Sequence, residues 1–218
     1  MTLVSNEVNQ YIENLIQTRT QHVLQIEKYA KENDVPIMEL TGMETLLTYV
    51  RLKNPKRILE VGTAIGYSAI RMALTCPTAE IISIERDEER YNIAQQNVAA
   101  LQLQDKIHLL LGDANELQSQ VEHYAPYDFI FIDAAKGQYQ NFFNHYSSML
   151  SSDGIIITDN VLFRGYVADE SGLESRRLRS LVKKIRSFNS YLMQHPDFHS
   201  TILPVGDGMM VSMRKKTK

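Results

Sequence analysis

The chain has 218 residues, of which 44% are hydrophobic and 22% are charged, and its formal net charge is −3 at pH 7. These values predict one globular domain over residues 1–218, large enough to bury a full core. The sequence has no apolar run of 18 residues and no basic stretch followed by an apolar one at its N-terminus. We therefore expect no membrane span, no signal peptide and a cytoplasmic location.

Three helices are predicted before the first strand. Apolar residues recur at helical spacing over 5–17, a second helix is expected over about 20–33, and a third carries Met43, Leu46, Leu47 and Val50 on one face. We expect residues 1–55 to form a helical cap on a core formed by residues 56–218. This cap would cover a cofactor or provide an oligomer surface, which suggests a homodimer.

Strands and helices alternate from residue 57 onward. Strands are predicted at 57–62, 80–85, 107–112, 127–133 and 154–159, followed by two strands at 199–205 and 209–214. Near-continuous apolar runs indicate strands buried on both faces, and Asp207-Gly208 is a hairpin signal. The predicted fold is α/β and Rossmann-like. It has a doubly wound, seven-stranded, mostly parallel sheet with a C-terminal antiparallel hairpin and N-terminal helices.

A glycine-punctuated turn follows the first strand, in the sequence Arg57-Ile-Leu-Glu-Val-Gly-Thr-Ala-Ile-Gly-Tyr-Ser68. A dinucleotide fingerprint would need glycine where Ala64 and Tyr67 stand, and the Gly-Lys-Ser/Thr ending of a P-loop is absent. Glu60 would repel a phosphate and would suit a ligand that carries an ammonium group. The turn therefore favours a cationic nucleoside, with S-adenosyl-L-methionine as the candidate.

Acidic or glycine-rich turns follow five successive strands. In open α/β sheets, ligands bind outside the carboxyl ends of the strands. Glu85 is placed to accept both ribose hydroxyls, and Asp113 and Ala114 to lie near an adenine. A single acidic residue after a strand is usually a helix N-cap or a solvated turn residue. Because the pattern recurs at every strand, we favour a shared pocket.

Three oxygen-bearing side chains are expected at neighbouring strand ends: Asp133, Asp159 and Asn160. Oxygen ligands without sulfur or imidazole favour Mg²⁺, with Mn²⁺ or Ca²⁺ as substitutes, over zinc. Lys136 lies three residues after Asp133. It could be a surface lysine, but beside a divalent cation its charged form would be disfavoured by like-charge repulsion, which suits a general base.

Together, Glu60-Val-Gly-Thr-Ala-Ile-Gly-Tyr-Ser68, Asp133-Ala-Ala-Lys136 and Asp159-Asn160 resemble the motifs of metal-dependent class I O-methyltransferases of the catechol and caffeoyl-CoA type. The resemblance covers about residues 35–214. It implies that S-adenosylmethionine is bound by Met38, Glu60, Gly62, Ser68, Glu85, Asp113, Ala114 and Asp133. It also implies that Asp133, Asp159 and Asn160 hold Mg²⁺, and that Lys136 and Asp133 are catalytic.

Within this family, the chain is most similar to bacterial enzymes that methylate 5-hydroxyuridine in tRNA. Catechol enzymes carry a further carboxylate for the second substrate hydroxyl. Here the corresponding region is Pro204-Val-Gly-Asp-Gly208, where we interpret Asp207 as hairpin chemistry rather than a substrate ligand. This departure places a free catechol substrate in doubt.

A basic helix is predicted within residues 171–190, which contain six basic residues and one acidic residue. Arg176, Arg179, Lys183 and Arg186 follow one stripe, which could track tRNA phosphates or be a solvated outer face. Upstream, Phe163, Arg164 and Tyr166 could stack on an extruded base or simply pack the loop.

The leading prediction is thus methylation of 5-hydroxyuridine at the wobble position of tRNA, through a hydroxyl that lies beside a ring carbonyl. The alternative is a small-molecule O-methyltransferase that acts on catechols or caffeoyl-type esters. A non-catalytic adenosyl-ligand-binding protein would not need Asp133, Lys136, Asp159 and Asn160 together, and is disfavoured for that reason.

Overall fold

The computed structural model describes residues 6–216. Residues 1–5 and 217–218 lie outside the described residues. They include Ser5, where the first predicted helix begins, and most of the N-terminal segment on which the signal-peptide expectation was based.

Seven strands form one sheet in the order β3-β2-β1-β4-β5-β7-β6. Their bounds are β1 Arg57–Val61, β2 Glu80–Glu85, β3 Ile107–Leu111, β4 Tyr127–Ile132, β5 Leu150–Thr158, β6 Phe198–Leu203 and β7 Met209–Arg214. The pairs among β1 to β5 are parallel, whereas β7 is antiparallel to both β5 and β6. The strand order reverses beside β1, which places the ends of β1 and β4 at the centre of the carboxyl edge.

Eight α-helices are described between residues 6 and 216. They are α1 Asn6–Leu15, α2 Gln21–Glu32, α3 Leu40–Lys53, α4 Tyr67–Thr75, α5 Glu88–Ala100, α6 Gln118–Glu122, α7 Tyr139–Ser147 and α8 Arg176–Met193. Side-chain caps begin two of them: Asp87 accepts from the Arg90 N–H before α5, and Ser175 accepts from the Leu178 N–H before α8.

The core lies in two clusters, one on each face of the sheet. Alternate residues of a strand point to opposite faces, so Ile58 belongs to one cluster and Leu59 to the other. Helices α2 to α5 contribute to the first cluster and α6 to α8 to the second. The N-terminal helices therefore share a core with the sheet, while Tyr11 and Leu15 of α1 remain largely exposed.

The predicted fold class is confirmed, with local differences. The fifth strand begins at Leu150 rather than at 154, because Leu150 pairs with Tyr127 before the register shift, and polar residues separate it from the apolar run that pairs from Ile155 onward. That polar stretch carries no apolar signal in the sequence. The division into a cap and a core stays a prediction. No helix in the described part of the chain is long and apolar enough to cross a membrane.

Truncating one buried leucine of α3 should destabilise the fold strongly. Leu47 is 1% exposed and Leu52, on the same helix, is 78% exposed. We expect Leu47→Ala to lower the free energy of unfolding by about 2–5 kcal/mol, because it removes buried methyl groups and leaves a cavity. Leu52→Ala should change it by less than about 0.5 kcal/mol. Equal effects in urea unfolding would show that α3 does not pack on the sheet as described.

Candidate active site

One large cavity opens at the carboxyl ends of the parallel strands. Its volume is about 750 Å³, and its wall is formed by the loops after β1 to β5, the β6–β7 hairpin and the N-terminal segment. The wall contains nearly every residue that the sequence predicts for the methyl donor and the metal: Met38, Gly62, Ser68, Glu85, Asp113, Ala114, Asp133, Lys136, Asp159 and Asn160. The fold thus places the residues predicted for the methyl donor and those predicted for the metal in the wall of the same cavity.

The turn after β1 depends on glycine at residue 62. Its φ is +108°, and a Cβ placed there would lie 2.0 Å from the carbonyl oxygen of Asp133. No side chain fits that gap, so only glycine lets the turn approach the end of β4. At the far end of the turn, Gly66 adopts φ +86° and begins α4, which presents Ser68 to the cavity.

Glu60 lies behind the wall rather than in it. The cavity lining does not include Glu60, whose carboxylate is fully buried and accepts hydrogen bonds from the hydroxyls of Ser68 and Ser83. The sequence predicts that Glu60 faces the ligand. In the structure the Glu60 carboxylate instead contacts Ser68, which lines the cavity. Alternate residues of a strand point to opposite faces, and this places the Glu60 side chain beneath the loop.

The environment of Glu60 favours its protonated form. Burial, opposed by the hydrogen bonds from Ser68 and Ser83, raises the pKa of Glu60 from 4.5 to about 7, and the charges of Asp133 and Glu85 act in the same direction as burial. A cation in the cavity would stabilise the carboxylate, which matches the expectation of a positively charged ligand.

Glu85 organises the neighbouring part of the wall. Its Oε1 accepts from the backbone N–H groups of Arg86 and Asp87, both at 2.9 Å, and its Oε2 accepts from the Ala64 N–H at 2.7 Å. A carboxylate has about four acceptor positions, so three backbone bonds leave capacity for one further donor. The same carboxylate therefore holds the turn after β1 and can receive one hydroxyl of a ligand.

Asp113, Ala114 and Met38 form the remaining predicted nucleoside surface. Asp113 Oδ1 accepts from the backbone and side-chain nitrogens of Asn115, at 2.8 and 2.9 Å. Ala114 and Met38 are 7% and 8% exposed, and the Ala114 carbonyl accepts from the hydroxyl of Tyr146. These contacts fix Asp113 and Ala114 at the end of β3, and Met38 lines the same cavity.

The predicted metal ligands converge at the ends of β4 and β5. Asn160 Nδ2 donates to Asp133 Oδ1 at 3.1 Å and to Asp159 Oδ2 at 2.9 Å. The backbone places Asn160 in a left-handed conformation, with φ +61°. The amide nitrogen therefore lies between the two carboxylates and donates a hydrogen bond to each, in a position that a cation could take.

This donor set fits a hard divalent cation. Burial raises the pKa of Asp133, and burial together with the charge of Asp133 raises the pKa of Asp159 well above its ordinary range, so a positive charge here would be stabilising. Rotating the Asn160 amide by half a turn presents its oxygen instead of its nitrogen. Residues 6–216 contain no group of three His, Cys, Asp or Glu that could hold a metal. The candidate set has two carboxylates and an amide, a composition that suits Mg²⁺ with retained waters.

Lys136 lies in the wall beside these carboxylates. It begins a single 3-10 turn, Lys136–Gln138, directly after the loop from β4. Its charge lowers the pKa of both Asp133 and Asp159, against the larger effect of burial. The predicted base and the predicted metal ligands are thus electrostatically coupled.

The residues predicted to bind nucleic acid separate into two groups. Arg164 lies in the cavity wall, whereas Arg176, Arg179 and Lys183 are exposed on α8 and do not line the cavity. Arg186 does not belong to a free basic stripe, because its guanidinium binds the Val167 and Tyr166 carbonyls and the Glu170 carboxylate.

Two further observations bear on the predicted loop and on the hairpin. Phe163 and Tyr166 pack against each other, with ring centroids 6.0 Å apart, and neither lines the cavity. Asp207 does line it, and its charge raises the pKa of Asp133 and Asp159. The sequence predicts that Asp207 is a turn residue only. Gly-Asp-Gly is a strong turn signal and gives no indication that the carboxylate lies in the cavity wall.

Together, the doubly wound sheet, the glycine turn and the acidic strand ends define a nucleoside-binding α/β enzyme. The family model described as O-methyltransferase matches residues 5–215. The chain belongs to this family of O-methyltransferases.

Named relatives agree with this family. A catechol O-methyltransferase from Niastella koreensis is 31% identical over 97% of this chain and 98% of its own length. A caffeoyl-CoA O-methyltransferase from Stellaria longipes is 27% identical over 97% and 92%.

Solved structures agree as well. A candidate caffeoyl-CoA O-methyltransferase from Staphylococcus aureus superposes with a TM-score of 0.91 at 34% identity, over 96% of this chain and all of that one. A Bacillus cereus O-methyltransferase in complex with S-adenosylhomocysteine gives 0.82 at 26% identity, over 96% and 97%.

The raised pKa of Glu60 predicts a specific pH dependence of stability. The folded-state pKa lies above the unfolded value of 4.5, so the favourable contribution is complete below pH 4.5 and is lost as pH rises through about 7. Glu60→Gln should remove this component, which amounts to at most about 3 kcal/mol. Between pH 4.5 and 7.5, the free energy of unfolding of wild type should therefore fall by up to this amount relative to that of Glu60→Gln. Parallel curves would contradict the raised pKa of Glu60.

Proposed function

We propose that the chain is an S-adenosylmethionine- and Mg²⁺-dependent O-methyltransferase whose acceptor carries two adjacent oxygens. The observation that carries this proposal is the single cavity that joins the predicted donor surface to the Asp133–Asp159–Asn160 corner. The family and the cofactor product bound by the Bacillus cereus relative support the donor. The pairing of two buried carboxylates with an amide supports the metal.

The residues divide into a donor side and an acceptor side. Donor contacts are assigned to Met38, Gly62, Ser68, Glu85, Asp113, Ala114 and Asp133, with Glu60 acting through Ser68. Asp133, Asp159 and Asn160 are assigned to Mg²⁺, which would act as a Lewis acid and lower the pKa of the acceptor hydroxyl. Mn²⁺ or Ca²⁺ could take its place.

Lys136 is the proposed general base. It takes the proton from the acceptor hydroxyl, and Asp133 and Asp159 stabilise the resulting ammonium. The oxygen then forms a bond to the methyl carbon as the carbon–sulfur bond of S-adenosylmethionine breaks, which releases S-adenosylhomocysteine. Alignment of the two substrates by the opposite walls of one cavity supplies much of the rate enhancement.

A small catechol-type or caffeoyl-type acceptor is the candidate that the named relatives support. A catechol presents two neighbouring oxygens to one cation, as the Asp133–Asp159–Asn160 corner requires.

A 5-hydroxyuridine in tRNA is the second candidate, and the basic residues of α8 support it. Lys184 of α8 lies against Gly137, with Nζ 3.7 Å from the position of a Cβ there, directly beside Lys136. Arg176, Arg179 and Lys183 extend along the exposed surface of the same helix. These three residues form what we call the α8 basic face, suited to phosphates that flank a base in the cavity.

Removing the metal or one of its proposed ligands should abolish methyl transfer. We expect EDTA, or Asp159→Ala, to lower transfer of labelled methyl to catechol or to hydroxylated tRNA by about 100-fold or more, because both remove hard oxygen coordination. Excess Mg²⁺ should restore the chelated enzyme. Asp153→Ala is the matched control, since Asp153 is an exposed carboxylate that pairs with Lys53 on α3, outside the cavity wall. Undiminished transfer with EDTA would exclude the metal role.

Charge reversal of the α8 basic face should separate the two acceptors. If tRNA is the substrate, replacing Arg176, Arg179 and Lys183 by glutamate should lower kcat/KM for tRNA by about tenfold or more and flatten its salt dependence. Methylation of a free catechol should be unchanged. The measurement is label transfer to each acceptor at several salt concentrations.

A second triple variant controls for net charge. Lys28, Lys31 and Lys56 are exposed and do not line the cavity, so their replacement by glutamate changes the total charge equally. Equal loss of tRNA methylation in both variants would show that the α8 basic face has no specific role. Label on catechol alone would exclude tRNA.

A further inference from the structure

The segment that follows β5 has an unusual backbone. Phe163 and Arg164 adopt φ of +45° and +55°, and Asn160 at the start of the segment adopts +61°. Left-handed conformations are uncommon for residues other than glycine and persist only where surrounding contacts hold them. This segment, residues 160–165, carries one candidate metal ligand and one arginine of the cavity wall.

The β6–β7 hairpin supplies the contacts that hold the segment. The backbone N–H of Arg164 donates to the Asp207 carboxylate. The N–H of Leu162 donates to the Asp207 carbonyl at 3.0 Å, and the N–H of Val161 to the Gly208 carbonyl at 2.9 Å. One side chain of the hairpin therefore anchors the part of the segment where the backbone is left-handed.

Gly208 makes the approach of the hairpin possible. Its φ is +89°, and a Cβ there would lie 2.4 Å from Leu162 Cγ. The hairpin and the segment thus pack closely together, and we call this packing the interlock. Gly208 leaves room for Leu162, and the neighbouring Asp207 supplies the carboxylate. On the opposite side, α8 contributes the Asn189 amide, which donates to the Val161 carbonyl at 2.8 Å.

We propose that Asp207 is a positioning residue for the acceptor half of the cavity. By accepting the Arg164 N–H it holds Phe163 and Arg164 in their left-handed conformations and so fixes the path of residues 160–165. It thereby fixes Asn160 against Asp133 and Asp159, and Arg164 in the wall. The role in metal and acceptor binding rests on the proposed function, whereas the anchoring of the segment does not.

Replacement by asparagine distinguishes positioning from direct action on the substrate. The Asn oxygen can accept the same N–H, so Asp207→Asn should preserve the anchor, whereas Asp207→Ala removes it. A carboxylate that gripped a substrate hydroxyl, or acted through its charge, would be lost equally in both variants.

The anchor is measured by limited trypsin digestion of the full chain, with mass spectrometry of the Arg164–Gly165 bond. We expect Asp207→Ala to accelerate cleavage at this bond by roughly tenfold or more, since a hydrogen bond to a charged group is lost. Asp207→Asn should stay within about threefold of wild type. Wild-type cleavage in Asp207→Ala would overturn the anchor.

A pair of glycine variants tests the interlock from its other side. Gly172 has φ +90°, close to that of Gly208, but nothing lies within 4 Å of a Cβ there. Both substitutions to alanine impose the same backbone strain, and only Gly208→Ala displaces Leu162. We expect faster cleavage after Arg164 in Gly208→Ala and not in Gly172→Ala. Equal rates would refute the interlock.

Kinetics then test the positioning role. Asp207→Ala should raise the Mg²⁺ concentration for half-maximal methyl transfer about 10- to 100-fold, and Asp207→Asn should rescue most of that loss. If both variants lose activity while the bond stays protected in Asp207→Asn, the carboxylate acts directly and the positioning role is wrong. If wild type transfers no methyl group, the proposed function fails while the cleavage experiment still decides the anchor.

Discussion

The contact between the turn after β1 and the end of β4 determines how the rest of the site is arranged. Gly62 lies so close to the Asp133 carbonyl that any side chain at residue 62 would overlap it. Because the strand order reverses beside β1, this contact lies at the point where an open α/β sheet forms its ligand crevice. Asp133 belongs to both halves of the proposed site, and Gly62 sets the distance between them.

Burial of carboxylates provides the electrostatic side of the same arrangement. Glu60 lies behind the proposed donor side, Asp133 and Asp159 belong to the proposed metal site, and burial is the largest cause of the raised pKa in each. Unpaired buried carboxylates are unfavourable, and a positive charge in the cavity relieves that cost. A sulfonium donor and a divalent cation would each supply such a charge, so both proposed ligands should also stabilise the folded enzyme.

The sequence predicts the sheet well because its strands are apolar runs that need burial on both faces. It also predicts which strand ends meet, since parallel strands place their carboxyl ends at one edge. It predicts less well where the outcome depends on side-chain direction or on contacts distant in sequence. Glu60 pairs in register with Ser83 of the neighbouring strand, which turns its carboxylate toward a hydroxyl under the loop. Arg186 and Asp207 bind backbone groups 19 to 43 residues away, and no local pattern indicates such contacts.

The order of elements along the chain separates the choice of donor from the choice of acceptor. Under the proposed function, the loops after β1 to β4 bind the donor, whereas the segment after β5 and the β6–β7 hairpin line the acceptor side of the same cavity. Changes in these later elements can alter acceptor recognition while the sheet and the glycine turn are retained. The relatives named for catechol and for caffeoyl-CoA are consistent with such a division. In this chain the later elements carry Arg164, the proposed Asp207 anchor and the α8 basic face, so we expect the identity of the acceptor to depend on them rather than on the shared core.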